Sequence, residues 1–200
     1  MTSARQERRQ LCDLLIEVGP DAPTLCEGWD THALASHLWV RENDPLGGMG
    51  IVVPALAATT ERRMAAVRDR WSYPELVERI AKGPSALSPF GWPGVDAVAN
   101  TAEFWVHHED VRRAGDPAAE PRPSTPAFEE RLWRQLATMG KAMFSSVGHD
   151  GLVLEDLDGN RRRIRPGRST VTLVGAPSEL LLYGFGRTGV ARVEVIGEPV

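Results

Sequence analysis

Cysteine is scarce in this chain of 200 residues: Cys12 and Cys26 are its two thiols. They have no C-x-x-C spacing, so a disulfide framework is not indicated, and two free thiols in a reducing cytoplasm are expected. Long apolar runs are missing too. No stretch approaches the roughly 18–20 residues that cross a bilayer, and the first residues, MTSARQERRQLCDLL, carry no apolar signal segment. A cytoplasmic protein with no membrane partner is expected. Positive charge is not in surplus, since 23 Lys and Arg against 27 Asp and Glu leave a net charge of −4. Without a basic tail or block, a nucleic-acid partner is not expected. The one basic run, Arg161–Arg165, follows DLDGN and reads as a hairpin strand with a solvated face. No internal repeat is evident, and 15 prolines and 19 glycines punctuate the chain without making it low-complexity.

What is present is an ordinary globular mixture, 42% hydrophobic and 25% charged, long enough for one large domain or two small ones. Apolar residues at Leu11, Leu14, Leu15 and Val18 predict a helix over 4–18. Asp30 is a suitable N-cap for a helix to about Asn43, which places Leu34, His37, Leu38 and Arg41 on one side. DPLGGMG breaks the chain. Pro54 opens a helix to about Arg70, Pro74 opens a continuation through Lys82, and a further helix is predicted from Val95 to Ala114. After a Pro-rich connection, Phe128, Leu132, Leu136, Met139 and Met143 predict a long helix from Ala127 to about Val147. Beyond Gly148 the pattern changes to β-β-β-α-β, with an Asp-Gly turn between the first two strands. The expected fold is α+β: an N-terminal four-helix bundle over 1–147 and a small C-terminal α/β unit over 148–200, packed on the bundle because it is too small to hold a core comfortably alone.

The residues that can do chemistry gather in TAEFWVHHEDVRR, residues 101–113. Glu103 and His107 lie one helical turn apart on one face, so a single ion can accept an oxygen and a nitrogen from the pair. Asp110 follows on that face and can orient the imidazole. The plain alternative is a polar helix face. Against it, Phe104, Trp105 and Val106 surround the acids, and a carboxylate beside an apolar stripe is costly unless paired or metal-bound. His37, at the edge of an apolar stripe in its own helix, presents the same problem. One histidine from one helix and a Glu/His pair from another make a His₂Glu set with one position open for water or substrate, as in catalytic zinc sites. His108, about 100° round the helix from His107, is read as solvent-facing or at a rim, and His32 and His149 as surface residues.

GWDTHALASHLWVRE, followed at a distance by NTAEFWVHHEDVRR, resembles the metal-binding signature of the DinB/YfiT-like superfamily. More narrowly it is similar to the mycothiol-dependent maleylpyruvate isomerase family, and to an actinobacterial subgroup of metal-binding proteins with no assigned reaction. GAPSELLLYGFGR is similar to the helix-and-arginine segment of that family's C-terminal domain. The resemblance implies a DinB-like bundle in which His37, Glu103 and His107 bind a divalent ion, usually zinc. It makes Asp110 the acid of the motif, Arg187 an arginine that binds thiol or substrate, and Trp29 a structural aromatic. It also implies mycothiol as cosubstrate and a small electrophilic or unsaturated substrate.

Two functions of different class follow. The first is a metalloenzyme in which a metal-bound thiol becomes a thiolate nucleophile, as an isomerase or a thiol S-transferase, with Arg187 holding a carboxylate. The second is a non-catalytic metal- or thiol-binding protein. Iron or nickel also suits the donor set. A monomer or a homodimer is expected.

Overall fold

The computed structural model of the chain describes residues 4–49, 54–85, 88, 100–115, 119–148 and 150–197. His149, the predicted helix start at 95–99, most of the 83–94 loop and residues 50–53 lie outside them. The chain divides into two compact units, residues 2–119 and 120–200.

The first unit is helical. Helix α1 (Ala4–Val18) buries Leu11 and Leu15 on one face, one turn apart. Helix α2 (Thr31–Asn43) starts where the sequence predicts, because Asp30 Oδ1 accepts the Ala33 N–H at 2.7 Å. A short helix, α3 (Pro45–Met49), lies within DPLGGMG, where the sequence predicts only a break. Asp44 explains it: its Oδ1 accepts from the Leu46 and Gly47 N–H groups at 3.1 and 3.0 Å, and Pro45 needs no partner in a first turn. A 3₁₀ turn, Pro54–Leu56, leads into α4 (Ala57–Arg70). In α5 (Tyr73–Lys82), Ser72 and Glu75 form a capping box and Pro74 sits in the first turn. Helix α6 (Thr101–Ala114) completes the unit.

Helix α1 packs on α5 and α6, and α2 packs on α4 and α5. Leu11, Leu15, Leu34, Leu76, Ile80 and Phe104 are fully enclosed between them, each worth about 1.5–3 kcal/mol relative to exposure. A buried ion pair runs through this core. Arg8 donates to Glu42 Oε2 and Oε1 at 2.5 and 2.6 Å and to the Ile80 carbonyl at 3.1 Å, with its guanidinium 4.3 Å over the Phe104 ring. One side chain thus ties α1 to α2, α5 and α6.

In the second unit, α7 (Pro126–Met143) is capped by Thr125 and ends a turn before the predicted Val147. Strands β1 (Gly151–Glu155), β2 (Arg161–Arg165) and β3 (Thr170–Val174) precede α8 (Pro177–Gly184) and β4 (Glu194–Ile196). The strands form a four-stranded sheet, among the described residues, in the order β2-β1-β3-β4, with β1 and β3 parallel and the outer pairs antiparallel. The β1–β2 turn closes on Asp156, whose Oδ1 accepts from Asp158 N and Asn160 N, while Gly159 takes φ 81°. Helix α7, predicted as the last helix of the bundle, groups with this sheet. Glu129 accepts from Ser178 N and Oγ at 2.9 and 2.7 Å, and Gly140 admits Ile164, whose Cδ1 would lie 2.9 Å from a Cβ there. The basic run of β2 is tied down rather than simply solvated: Arg165 donates to the Val147 and Asp150 carbonyls, and Arg162 lies over Trp133.

Helices followed by a small sheet near the C-terminus make the fold α+β, as the sequence predicts. No helix among the described residues is long and apolar enough to cross a membrane.

Candidate metal centre

Helix α6 is enclosed almost all round: nine of the ten positions from Phe104 to Arg113 are buried, Arg112 excepted, and Glu109 and Asp110 are 0% exposed. Its polar side chains must therefore find partners inside the protein. Glu103, His107 and Asp110 do so on the face that meets His37 and Arg41 of α2 and Cys26 of the preceding loop.

The contacts converge on one oxygen. His37 Nε2 and His107 Nε2 each lie 3.2 Å from Glu103 Oε1, and Arg41 Nε lies 3.3 Å from it. The two imidazoles meet edge to face, with centroids 5.4 Å apart and planes at 71°. Arg41 also donates to Asn100 Oδ1 at 2.7 Å. Trp29 backs the His37 ring at 5.0 Å. On the far side of the other ring, His107 Nδ1 is 2.8 Å from Asp110 Oδ2, and Cys26 Sγ is 3.3 Å from that same oxygen and 3.9 Å from Nδ1.

This arrangement fits a divalent cation. Asp110 assigns the proton of neutral His107 to Nδ1, which leaves the Nε2 lone pair aimed at Glu103 Oε1. A lone pair facing a carboxylate oxygen is repulsive unless a proton or a cation lies between them. The ligand atoms of His37, Glu103 and His107 all lie within 4.8 Å of one another. The 3.2 Å edges are near the spacing of about 3.3–3.4 Å that bonds of about 2.0–2.1 Å give round a tetrahedral zinc. Three side chains would take three of its corners.

In the metal-free protein, charge and protons balance the same cluster. Burial pushes the Glu103 carboxyl upward, but hydrogen bonds with His107 and His37 and the charges of His107 and Arg41 outweigh it and hold it well below its ordinary value. Burial also opposes charge on His107, yet contacts with Asp110, Cys26 and Glu103 hold it well above its ordinary value. For His37 burial prevails over Glu103, and its value is lowered. Burial and hydrogen bonding thus push the two imidazoles in opposite directions.

The structure brings together Glu103, His107 and Asp110, which their spacing puts on one helix face, and His37, which the resemblance rather than the spacing assigns to them. Arg187 lies in the C-terminal unit just beyond α8, where it donates to the Phe185 carbonyl at 2.5 Å and its N–H closes the helix end on Leu182 O. His108 is a correction: it is buried, at 8% exposed, because α6 has no solvent-facing side at that turn. Glu109 is likewise internal, paired with Arg112 at 2.9 Å and Arg113 at 2.6 Å. His32, read as a surface residue, is partly buried and meets the Tyr73 ring edge to face. Cys12 and Cys26 are both free thiols. Sequence reasoning missed Cys26 and the contact of Arg41 with Glu103. The place of Arg41 one turn after His37 was a usable signal for the second, but no spacing pointed to the first.

No family model matches the chain, and no curated protein sequence does. Two solved structures are similar to it. One is a crystal structure of a mycothiol-dependent maleylpyruvate isomerase, with a TM-score of 0.61 at 18% identity, covering 98% of this chain and 92% of that one. The other is a mutant of that isomerase with one histidine replaced by alanine, with a TM-score of 0.60 at 19% identity and the same coverage. At this identity the likeness is one of fold.

Proposed function

We propose that this protein is a divalent-metal-dependent enzyme that uses a low-molecular-weight thiol of the mycothiol type as cosubstrate, as an isomerase or a thiol S-transferase. The observation that carries the reading is the convergence of two imidazole Nε2 atoms and one carboxylate oxygen at 3.2 Å inside a buried helix pair. The fold likeness to a mycothiol-dependent isomerase supports the choice of thiol. In this reading His37, Glu103 and His107 hold the ion, with zinc favoured by the donor set. A bound zinc ion with an open position lowers the pKa of a thiol and presents a thiolate at neutral pH. Asp110 holds the His107 ring by Nδ1, which keeps Nε2 free for the ion. Arg41 keeps Glu103 ionised and anchors it from the second helix. Arg187 is assigned the carboxylate of thiol or substrate, which a guanidinium binds by two parallel hydrogen bonds. The substrate is a small electrophile or unsaturated acid. The same reading takes the protein as cytoplasmic, monomeric or homodimeric, without a nucleic-acid or membrane partner.

Elemental analysis and a thiol-binding titration on apo and metal-loaded protein test this together. One metal equivalent per chain, with thiol bound only by the loaded form, is the expected result. Absence of stoichiometric metal would overturn the assignment of the site, and equal turnover with and without thiol would overturn the thiol dependence.

A further inference from the structure

The loop before α2 is attached to Asp110 twice. Leu25 N–H donates to the Asp110 backbone carbonyl at 3.1 Å, and the next residue, Cys26, directs its thiol to the Asp110 carboxylate at 3.3 Å. The loop itself is closely held. Thr24 Oγ1 donates to the Trp29 carbonyl at 2.8 Å and accepts from Cys26 N–H at 3.2 Å, and Pro23 bridges Asp30. Trp29, at the other end of this segment, lies against His37. A five-residue span thus touches both histidines from outside the point where their Nε2 atoms meet.

The chemistry at Asp110 is asymmetric. Its Oδ2 receives His107 Nδ1 at 2.8 Å and faces Cys26 Sγ at 3.3 Å. A carboxylate oxygen has lone pairs for both, and a thiol, although a weak donor, gains strength beside a buried charge. Asp110 is 0% exposed, so no water competes for it at the surface. With the S–H in place, the carboxylate is aligned on Nδ1–H; without it, the carboxylate has one fewer restraint and the His107 ring can turn.

We propose that Cys26 is a positioning residue of the metal centre: its thiol holds the Asp110 carboxylate against His107 Nδ1, and so fixes the ring that offers Nε2 to the cation. This rests on the metal reading above. Its nearest competitor is that Cys26 is packing only.

Four proteins and two measurements separate these. Zinc affinity is measured by chelator competition on wild type, Cys26→Ala and Cys26→Ser. Loss of an outer partner of a metal-bound histidine lowers affinity by about 10–100-fold, so Cys26→Ala should fall about tenfold. Cys26→Ser keeps a donor and should stay within about threefold of wild type. Unchanged affinity in Cys26→Ala, or an equal loss in both variants, overturns the proposal. The second measurement needs no metal. The Raman S–H stretching band of Cys26, taken as the difference between wild type and Cys26→Ala, should lie below that of a thiol without an acceptor. It should move up in Asp110→Ala. A band at the unbonded position overturns the proposal, and where Asp110→Ala does not fold, the band in the wild-type minus Cys26→Ala difference decides alone. Wild-type protein that takes up no zinc would defeat the metal reading alone, because the Raman band still decides whether Cys26 holds Asp110.

Discussion

If a cation sits between His37, Glu103 and His107, it must stabilise the folded helical unit by an amount set by its affinity. At a free metal concentration one hundred times the dissociation constant, the gain is about 2.7 kcal/mol. The unit that holds the site spans residues 2–119. A unit of roughly 120 residues unfolds with an entropy of about 0.25 kcal/mol/K near 60 °C, so its midpoint should rise by about 11 °C. Calorimetric scans of chelator-treated and zinc-loaded protein read this directly. Glu103→Gln, His107→Ala and His37→Ala each remove one of three ligands. A hundredfold loss of affinity leaves the same metal concentration at the dissociation constant, where the gain is RT ln 2, about 0.4 kcal/mol, or about 2 °C.

The control is His108→Ala. His108 is 8% exposed, so its truncation should cost about 1–3 kcal/mol of baseline stability. It lies about 100° round the helix from His107 and outside the group of ligand atoms, however, so the gain on adding zinc should stay near its full value. The reasoning is refuted by an undiminished gain in His107→Ala or Glu103→Gln, since the cation would then be bound elsewhere. A gain lost in His108→Ala but kept in His107→Ala would show that the wrong member of the doublet had been chosen.

Other perturbations test the frame around the site. Arg8→Met strands the Glu42 carboxylate at 3% exposure and removes two short hydrogen bonds, so it should cost about 3–5 kcal/mol in urea unfolding. Arg8→Met/Glu42→Leu should recover most of that, and a single-variant cost below about 1 kcal/mol would contradict a tightly coupled pair. Burial pushes the Cys12 thiol up to about 12, against the partial offset of Arg8. The unfolded thiol ionises near 9 while the folded one keeps its proton. Its contribution is therefore present below pH 9 and is lost as pH rises from there toward 12, at up to about 1.4 kcal/mol per pH unit. Cys12→Ala should abolish that slope, and Cys12 should resist a thiol reagent at pH 8 in native protein and react in urea. In the second unit, a Cβ on Gly167 would clash with the Asp150 carbonyl carbon and the Gly151 nitrogen. Gly167→Ala should therefore destabilise that unit by about 1–3 kcal/mol in urea unfolding, and an unchanged midpoint would contradict the close approach.

How far the sequence could be read depended on range. Helix starts were legible because their causes are local: Asp30, Pro54 and Pro74 act within a turn of themselves. The short helix at Pro45–Met49 was missed because glycines outweighed Asp44 in the reading, although Asp44 satisfies the same N–H groups as any N-cap. The grouping of α7 was not legible at all. Phe128, Leu132 and Leu136 show that one face is buried but not what buries it. The Glu129–Ser178 contact and the Gly140–Ile164 approach join residues far apart in the chain.

The same division runs through the site. Glu103, His107 and Asp110 belong to one helix, so their spacing alone placed them on one face. His37 needed a second helix, and its position beside an apolar stripe was a hint completed by family resemblance. For His108 the angular argument was sound, but the inference to solvent was not. A step of 100° reaches water only where the helix has a wet side, and α6 at that turn has none. Cys26 stands at the opposite extreme from the triple on α6. It lies in a loop with no periodicity, and its meaning comes from a carboxylate 84 residues away that it shares with His107. Spacing can therefore identify atoms able to face a cation, but which nitrogen of His107 faces it is decided on the other side of the ring, by Asp110 and the loop that holds it.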